Sequence, residues 1–314
     1  MINVSHNGGT LTHDIRQGRQ LLPGTANGGG QASRHRRTGS GAMASEPNWI
    51  PPGVDTKRAN VARVYDYMLG GTHNFAADQA VGRMITAVEP NARGIARANR
   101  AFLGRAVRFL AASGIRQFLD IGSGIPTEGN VHEVAGQAAP GSRVVYVDID
   151  PVAIAHSTAL LAGRGNAIIV EGDVREPEKI LASAEIGRII DFSQPAGLLL
   201  VAVLHFITDA ENPARIVATL RDALAPGSYL VVCHACRDAS PDATAAAETV
   251  YRSRVAAKGR ARTRAEIAGF FDGFTLVDPG LVWMSQWRPD NPEDVPEDPE
   301  KFWFLAGVGR LGQP

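Results

Sequence analysis

Between Arg116 and Ala235 the chain alternates short, nearly unbroken apolar runs with amphipathic stretches. The apolar runs are RQFLDI (116–121), SRVVYVDID (142–150), NAIIVEGDV (166–174), PAGLLLVAVLHFI (195–207) and GSYLVVCHA (227–235). Runs that do not alternate with polar residues predict strands covered on both faces, as in a parallel sheet. The intervening PTEGNVHEVAGQA, PVAIAHSTALLAG, EPEKILASAEI and NPARIVATLRDAL read as helices, with Pro151 at a permissible first-turn position. Further on, Thr263 and Glu266 form a capping box that opens RAEIAGFF. FTLVDPGLVWM and KFWFLAGVGRL, separated by the acidic, proline-rich RPDNPEDVPEDPE, predict two last strands. No helix is predicted between them, so they should pair antiparallel. The pattern predicts an α/β fold: a Rossmann-like, doubly wound, seven-stranded, mostly parallel sheet with an antiparallel last strand pair and an N-terminal helical cover.

The region before the sheet is helical in pattern. Val61, Val64, Tyr65 and Met68 lie near one face of a first helix, with Asp55 or Thr56 as its expected cap and Gly70-Gly71 as its end. A second helix is predicted over Phe75–Val88. A third, over Asn91–Ser113, carries Ile95, Phe102, Val107, Phe109 and Leu110. Residues 1–45 are rich in Gly, Ser, Thr, Arg and His and contain no aromatic residue, so they predict a disordered N-terminal tail. Met43 is an expected natural start. The expected plan is therefore a tail (1–45), a helical lid or cover (46–114) and the sheet domain (115–314).

Composition narrows the partners. The 314 residues are 44% hydrophobic and 20% charged, with a formal net charge of +0. That balance argues against a general nucleic-acid or membrane-surface binder, without excluding a local patch. The longest apolar run, Ala196–Ile207, is far short of the ~20 residues that span a bilayer. The first residues lack a signal peptide's apolar stretch, so a cytoplasmic location is expected. Cys233 and Cys236 offer a C-x-x-C spacing without a second pair of ligands. They read as a strand and a loop residue, and no metal site is expected.

The turn after the first strand carries the chemistry. In open α/β sheets, ligands bind at the carboxyl ends of the strands, where strand order reverses. Gly122 and Gly124 are followed by Thr127 where a dinucleotide fingerprint has its third glycine, and Pro126 sits in the turn. Asp120 would repel a pyrophosphate and suit a cation such as an amino acid's ammonium. Its alternative role is to cap the turn. Asp148 and Asp173 end the next two strands, and Asp150, before Pro151, competes with Asp148 or caps the helix.

Asp120-x-Gly122-x-Gly124 resembles the first motif of class I S-adenosyl-L-methionine-dependent methyltransferases. VARVYDYMLGGTHNFAAD, ARANRAFLGRAVRFL, LLLVAVLHFI and LRDALAPGSYLVV extend the likeness to an actinobacterial S-adenosyl-L-methionine-dependent methyltransferase-like family, over about Trp49–Arg310. The resemblance implies S-adenosyl-L-methionine as cofactor, Asp148 on its ribose hydroxyls, Asp173 on the adenine amino group and the Val174 amide on an adenine nitrogen. Of Arg97, Asn99 and Arg100, Arg100 is the preferred partner of the methionine carboxylate.

The fourth strand ends VAVLHFITD, without the Asp/Asn-Pro-Pro-Tyr/Phe of methyltransferases that act on nucleic-acid bases. His205 is the candidate general base, with a packing role as its alternative. Tyr65, Tyr67, His73 and Asn74 cluster at the Gly70-Gly71 break as a lid or acceptor pocket, with Tyr67 the second catalytic candidate. The expected function is methyl transfer to an oxygen or nitrogen of a small-molecule acceptor. The alternatives are a non-catalytic regulator that binds S-adenosylmethionine and an NAD(P)-dependent oxidoreductase.

Overall fold

A computed structural model describes residues 50–127, 129–255 and 258–312. The expected tail, 1–45, and the Met43 start lie outside the described residues. Three helices come first: α1 (Val61–Leu69), α2 (Ala76–Val88) and α3 (Ala92–Ala112). Then follow β1 (Gln117–Ile121), α4 (Val131–Ala138), β2 (Arg143–Asp148), α5 (Pro151–Leu161), β3 (Ala167–Glu171), α6 (Pro177–Leu181), α7 (Ala184–Ile189), β4 (Gly197–Val201), α8 (Pro213–Asp222) and β5 (Tyr229–Ala235). The chain ends with α9 (Pro241–Arg254), α10 (Arg264–Ala268), β6 (Phe274–Leu276), β7 (Val282–Trp283) and β8 (Phe304–Leu311).

The sheet runs β3-β2-β1-β4-β5-β8-β6. β1 to β5 are mutually parallel, and β8 enters antiparallel between β5 and β6. Strand order reverses between β1 and β4, which puts a crevice at their carboxyl ends. Neighbouring strand residues face opposite layers. Phe118, Val144 and Leu199 pack with Phe102 and Leu110 of α3 in one core. Leu119, Val145 and Leu198 pack with Ile186 of α7 and Ile216 of α8 in the other. Both faces are dry, which is why the strands read as continuous apolar runs. A smaller core joins Val64 and Met68 of α1, Val81 and Ile85 of α2 and Val250 of α9.

Several boundaries differ from the sequence pattern. Asn60 caps α1, its Oδ1 accepting from the Ala62 amide at 2.7 Å. Asp55 instead accepts the Lys57 amide, and Thr56 lies in the preceding turn. α4 starts at Val131 rather than near Pro126, because Asn130 and Glu133 close a capping arrangement there. β4 stops at Val201: Ala202 takes φ +58°, and the apolar run continues as a 3₁₀ turn, Leu204–Phe206. FTLVDPGLVWM divides into β6 and β7, both paired with β8, which adds an eighth short strand to the seven expected. α9 was not in the expected pattern. Its buried side chains, Thr244, Ala247 and Val250, are too small and sparse to mark a face.

Candidate active site

β1 delivers Asp120 to the crevice, and the chain then turns through Gly122 (φ +75°) and Gly124 (φ +70°). The Gly122 amide donates to the Val147 carbonyl at 2.8 Å, which ties the turn to β2. A Cβ at Gly122 would lie 2.5 Å from Val203 Cγ2, so the backbone is as close to the β4 side as glycine allows.

Asp148, at the end of β2, accepts the Gly124 amide on Oδ2 at 2.7 Å and the Asp150 amide on Oδ1 at 2.9 Å. A carboxylate has about four acceptor sites, so it can still take two hydroxyl donors. Asp150 caps α5 through the Val152 and Ala153 amides, with Arg63 Nε at 3.9 Å. Asp148 therefore lines the cavity and Asp150 holds the helix. Burial raises the pKa of both. Burial also pushes Asp120 up to about 7, with Arg100 opposing the rise and Asp148 adding to it.

Asp173 follows β3, and its carboxylate is clamped by Arg175, with Nε at 2.8 and 2.9 Å from the two oxygens. Burial raises its pKa, but these bonds and the arginine charge outweigh that and hold it below the usual value. Arg175 also reaches Glu211 at 3.3 Å. Val174 is buried at the cavity wall, and Ile149 is 51% exposed beside Asp148.

One cavity of about 720 Å³ joins this end to a second end under α1, α3 and α9. That size suits a cofactor together with a small ligand. At the second end His205 sits on the 3₁₀ turn after β4, 9% exposed, with its Nδ1 buried and unpartnered. Burial, then His234 and Arg262, hold its pKa well below the usual histidine range. Arg262, 2% exposed, secures the turn. Its guanidinium donates to the carbonyls of Leu204 at 3.0 Å and Ile207 at 2.8 Å, lies 3.0 Å from His234 Nε2 and 3.1 Å from Asp209. The Arg260 amide donates to the His205 carbonyl at 2.6 Å. Tyr65 donates to the Ala96 carbonyl at 3.0 Å and accepts from Asn99 at 2.8 Å.

Asp120, Gly122, Gly124, Asp148, Asp173, Val174, Arg100 and His205 all line this one cavity. Tyr67 does not. Its ring packs over Gly82 of α2, with the Arg93 guanidinium 4.9 Å from its centre. Residues two positions apart on a helix are separated by about 200° around its axis, so Tyr65 and Tyr67 face opposite sides of α1. Arg97, His73 and Asn74 are also outside the lining. The His73 amide and the Asn74 side chain instead bind Asp66, at 2.9 and 2.8 Å. Arg175, Tyr251, Arg262, Trp303 and Phe304 were not singled out by sequence. The acid-to-arginine spacing Asp173-x-Arg175 was the one local signal among them.

A doubly wound sheet with β8 antiparallel between β5 and β6, and acids at the ends of β1 and β2 and just beyond β3, has the class I methyltransferase architecture. The chain belongs to the S-adenosyl methyltransferase family, whose model matches residues 47–312, and its cofactor is S-adenosyl-L-methionine. A proposed methyltransferase from Thermobifida fusca YX is 43% identical and superposes with a TM-score of 0.81, over 85% of this chain and 100% of that one. A DUF574 family protein from Streptomyces avermitilis MA-4680 is 38% identical, with a TM-score of 0.79 over 82% of this chain and 99% of that one. No curated protein matches the sequence. Among the described residues, no helix is long and apolar enough to cross a membrane.

Proposed function

We propose that the protein transfers a methyl group to an oxygen or nitrogen of a small molecule, with His205 at the acceptor. The observation that carries this reading is the single cavity that connects Asp120, Asp148 and Asp173 to His205. Its residues fit S-adenosyl-L-methionine. Asp148 retains acceptor capacity for the ribose hydroxyls, and Gly122 keeps the floor clear where any side chain would collide with Val203. Asp120 and Arg100 offer a carboxylate and a guanidinium to the amino and carboxylate groups of the methionine moiety. Because Arg175 already clamps Asp173, the adenine subsite rests on the Val174 amide and the apolar Val174 and Ile149 side chains more than on the Asp173 carboxylate.

Bound there, the cofactor supplies an electrophilic methyl group on a sulfonium. The protein's task is to align the acceptor and exclude water. Burial, His234 and Arg262 hold His205 uncharged, so its lone pair can accept a hydrogen bond from the acceptor and orient it toward the methyl group. The test is mass-spectrometric: full chain, S-adenosylmethionine and a panel of hydroxyl and amine acceptors. A methylated product formed together with S-adenosylhomocysteine supports the reading. Cofactor binding without turnover of any acceptor would favour a binding-only regulator.

A further inference from the structure

The acceptor end of the cavity is walled by a chain of rings. Tyr251 meets Phe206 with centroids 5.3 Å apart, and Phe206 meets His205 at 4.2 Å. His205 meets Phe304 at 5.4 Å, and Phe304 meets Trp303 at 5.1 Å. All five line the cavity, and His205 is in the middle. All four contacts are edge-to-face or tilted, the arrangement in which ring edges and faces remain complementary to a further ring.

The polar groups at this end are mostly committed. Tyr65 has both its bonds, to Ala96 and Asn99. Glu248 accepts the Ala261 amide, and Arg260 pairs with Asp209 and Glu266. At this end His205 Nδ1 and Asn99 Oδ1 are buried without a partner among the described residues, and of the two it is His205 that lies within the ring chain, at its centre. We propose that the acceptor subsite is built for a planar aromatic molecule that carries a hydroxyl group, an arenol, held among these rings with its hydroxyl at His205. This deepens the methyltransferase reading and rests on it.

Two considerations weigh against the other occupants of an aromatic cup. Such cups also hold cations. Here His205 is held uncharged and supplies no counter-charge, and the Glu248 carboxylate at this end is engaged by the Ala261 amide and Arg252. An alkanol fills the cup poorly and is a much weaker acid than an arenol, which loses its proton near ~10. An imidazole held uncharged accepts a hydrogen bond most strongly from the more acidic hydroxyl. The hydroxyl donates to the imidazole lone pair, its proton leaves to water, and the oxygen keeps the O–H electron pair. That oxygen forms the new C–O bond as the S–C bond breaks. The S–C pair stays on sulfur as a neutral thioether, and the imidazole stays uncharged.

The test is calorimetric titration of the full chain saturated with S-adenosylhomocysteine. The probes are 2-naphthol, naphthalene, decahydro-2-naphthol and 2-naphthylmethylammonium. 2-Naphthol is expected to bind about tenfold or more tighter than each of the other three, as one hydrogen bond and one stacked ring system allow. His205→Ala should still bind S-adenosylhomocysteine but lose the preference for 2-naphthol over naphthalene. Phe206→Leu should narrow the preference for 2-naphthol over its saturated analogue. Equal or tighter binding of decahydro-2-naphthol or the ammonium, or no 2-naphthol binding by a chain that binds S-adenosylhomocysteine, overturns the inference and leaves the methyltransferase reading standing. Failure to bind S-adenosylhomocysteine at all removes both.

Discussion

The Gly124 amide donates to Asp148 Oδ2 across 2.7 Å, joining the turn after β1 to the acid that ends β2. Since Oδ1 is fixed by the Asp150 amide, the carboxylate is held at both oxygens before any ligand arrives. Such preorganisation lowers the ordering cost of binding. It also makes the glycine turn and Asp148 one unit, so a change in either should be felt at the other.

Gly122→Ala should destabilise the chain by about 2–4 kcal/mol, from its positive φ and the collision with Val203. Val203→Ala in the same chain should recover the steric part and leave about 1–2 kcal/mol of backbone cost. Urea unfolding of the two single variants and the double variant measures that coupling. Simple additivity would show that the predicted contact is not made.

Asp120 gives the binding reaction a pH dependence. Its folded value, about 7, lies above the ordinary 3.8, so the folded chain keeps a proton that the unfolded chain releases. The group therefore lowers stability as pH rises from about 4 to about 7. A cationic amino group at Asp120 favours the ionised form, so binding should release a proton. Cofactor affinity should rise from pH 6 to about 7.5, then fall as the cofactor's own α-amino group, near ~8, loses its charge. Calorimetry in buffers of different ionisation enthalpy reads the proton release. Asp120→Asn should abolish the rising limb.

Arg262→Met removes the donors to the Leu204 and Ile207 carbonyls from a buried place. The expected cost is about 2–4 kcal/mol. The effect should be local: amide exchange at Leu204–Thr208 should accelerate about tenfold or more relative to β4. Uniform acceleration across β4 and β5 would instead mean that Arg262 supports the whole sheet.

Tyr65→Phe should cost about 1 kcal/mol of stability and leave arenol binding unchanged, since the hydroxyl is spent on Ala96 and Asn99 and the ring is kept. Tyr67→Phe should change neither, because its ring packs on Gly82 away from the cavity. Thermal unfolding of the pair distinguishes the two faces of α1, and fluorescence titration checks that arenol binding is kept.

That contrast marks how far the sequence could be read. The sheet and its acids were legible, because strands dry on both faces write themselves as apolar runs and their polar ends stand out against them. Asp148 and Asp150 were separable because the residue before Pro151 is a natural cap. Tyr65 was placed on the apolar face with Val61, Val64 and Met68, whereas Tyr67 was assigned to the pocket by its nearness to Gly70-Gly71 and not by its helix face. α9 was missed because its contacts use alanine and threonine, and Tyr251 was missed with it. The ring chain unites the turn after β4, α9 and the start of β8, which are far apart in sequence, so only the fold assembles it. The 3₁₀ turn that presents His205 was hidden inside an apolar run that reads as strand, and it depends on the distant Arg262.

The most direct test of the account is calorimetric titration of the full chain with S-adenosylmethionine, S-adenosylhomocysteine and NADH, beside Asp148→Asn. S-adenosylmethionine and S-adenosylhomocysteine should bind and NADH should not, and the variant should lose about tenfold or more in affinity, as expected for hydrogen bonds to a charged group. Binding of NADH at the same site, or undiminished S-adenosylmethionine binding by Asp148→Asn, would contradict it.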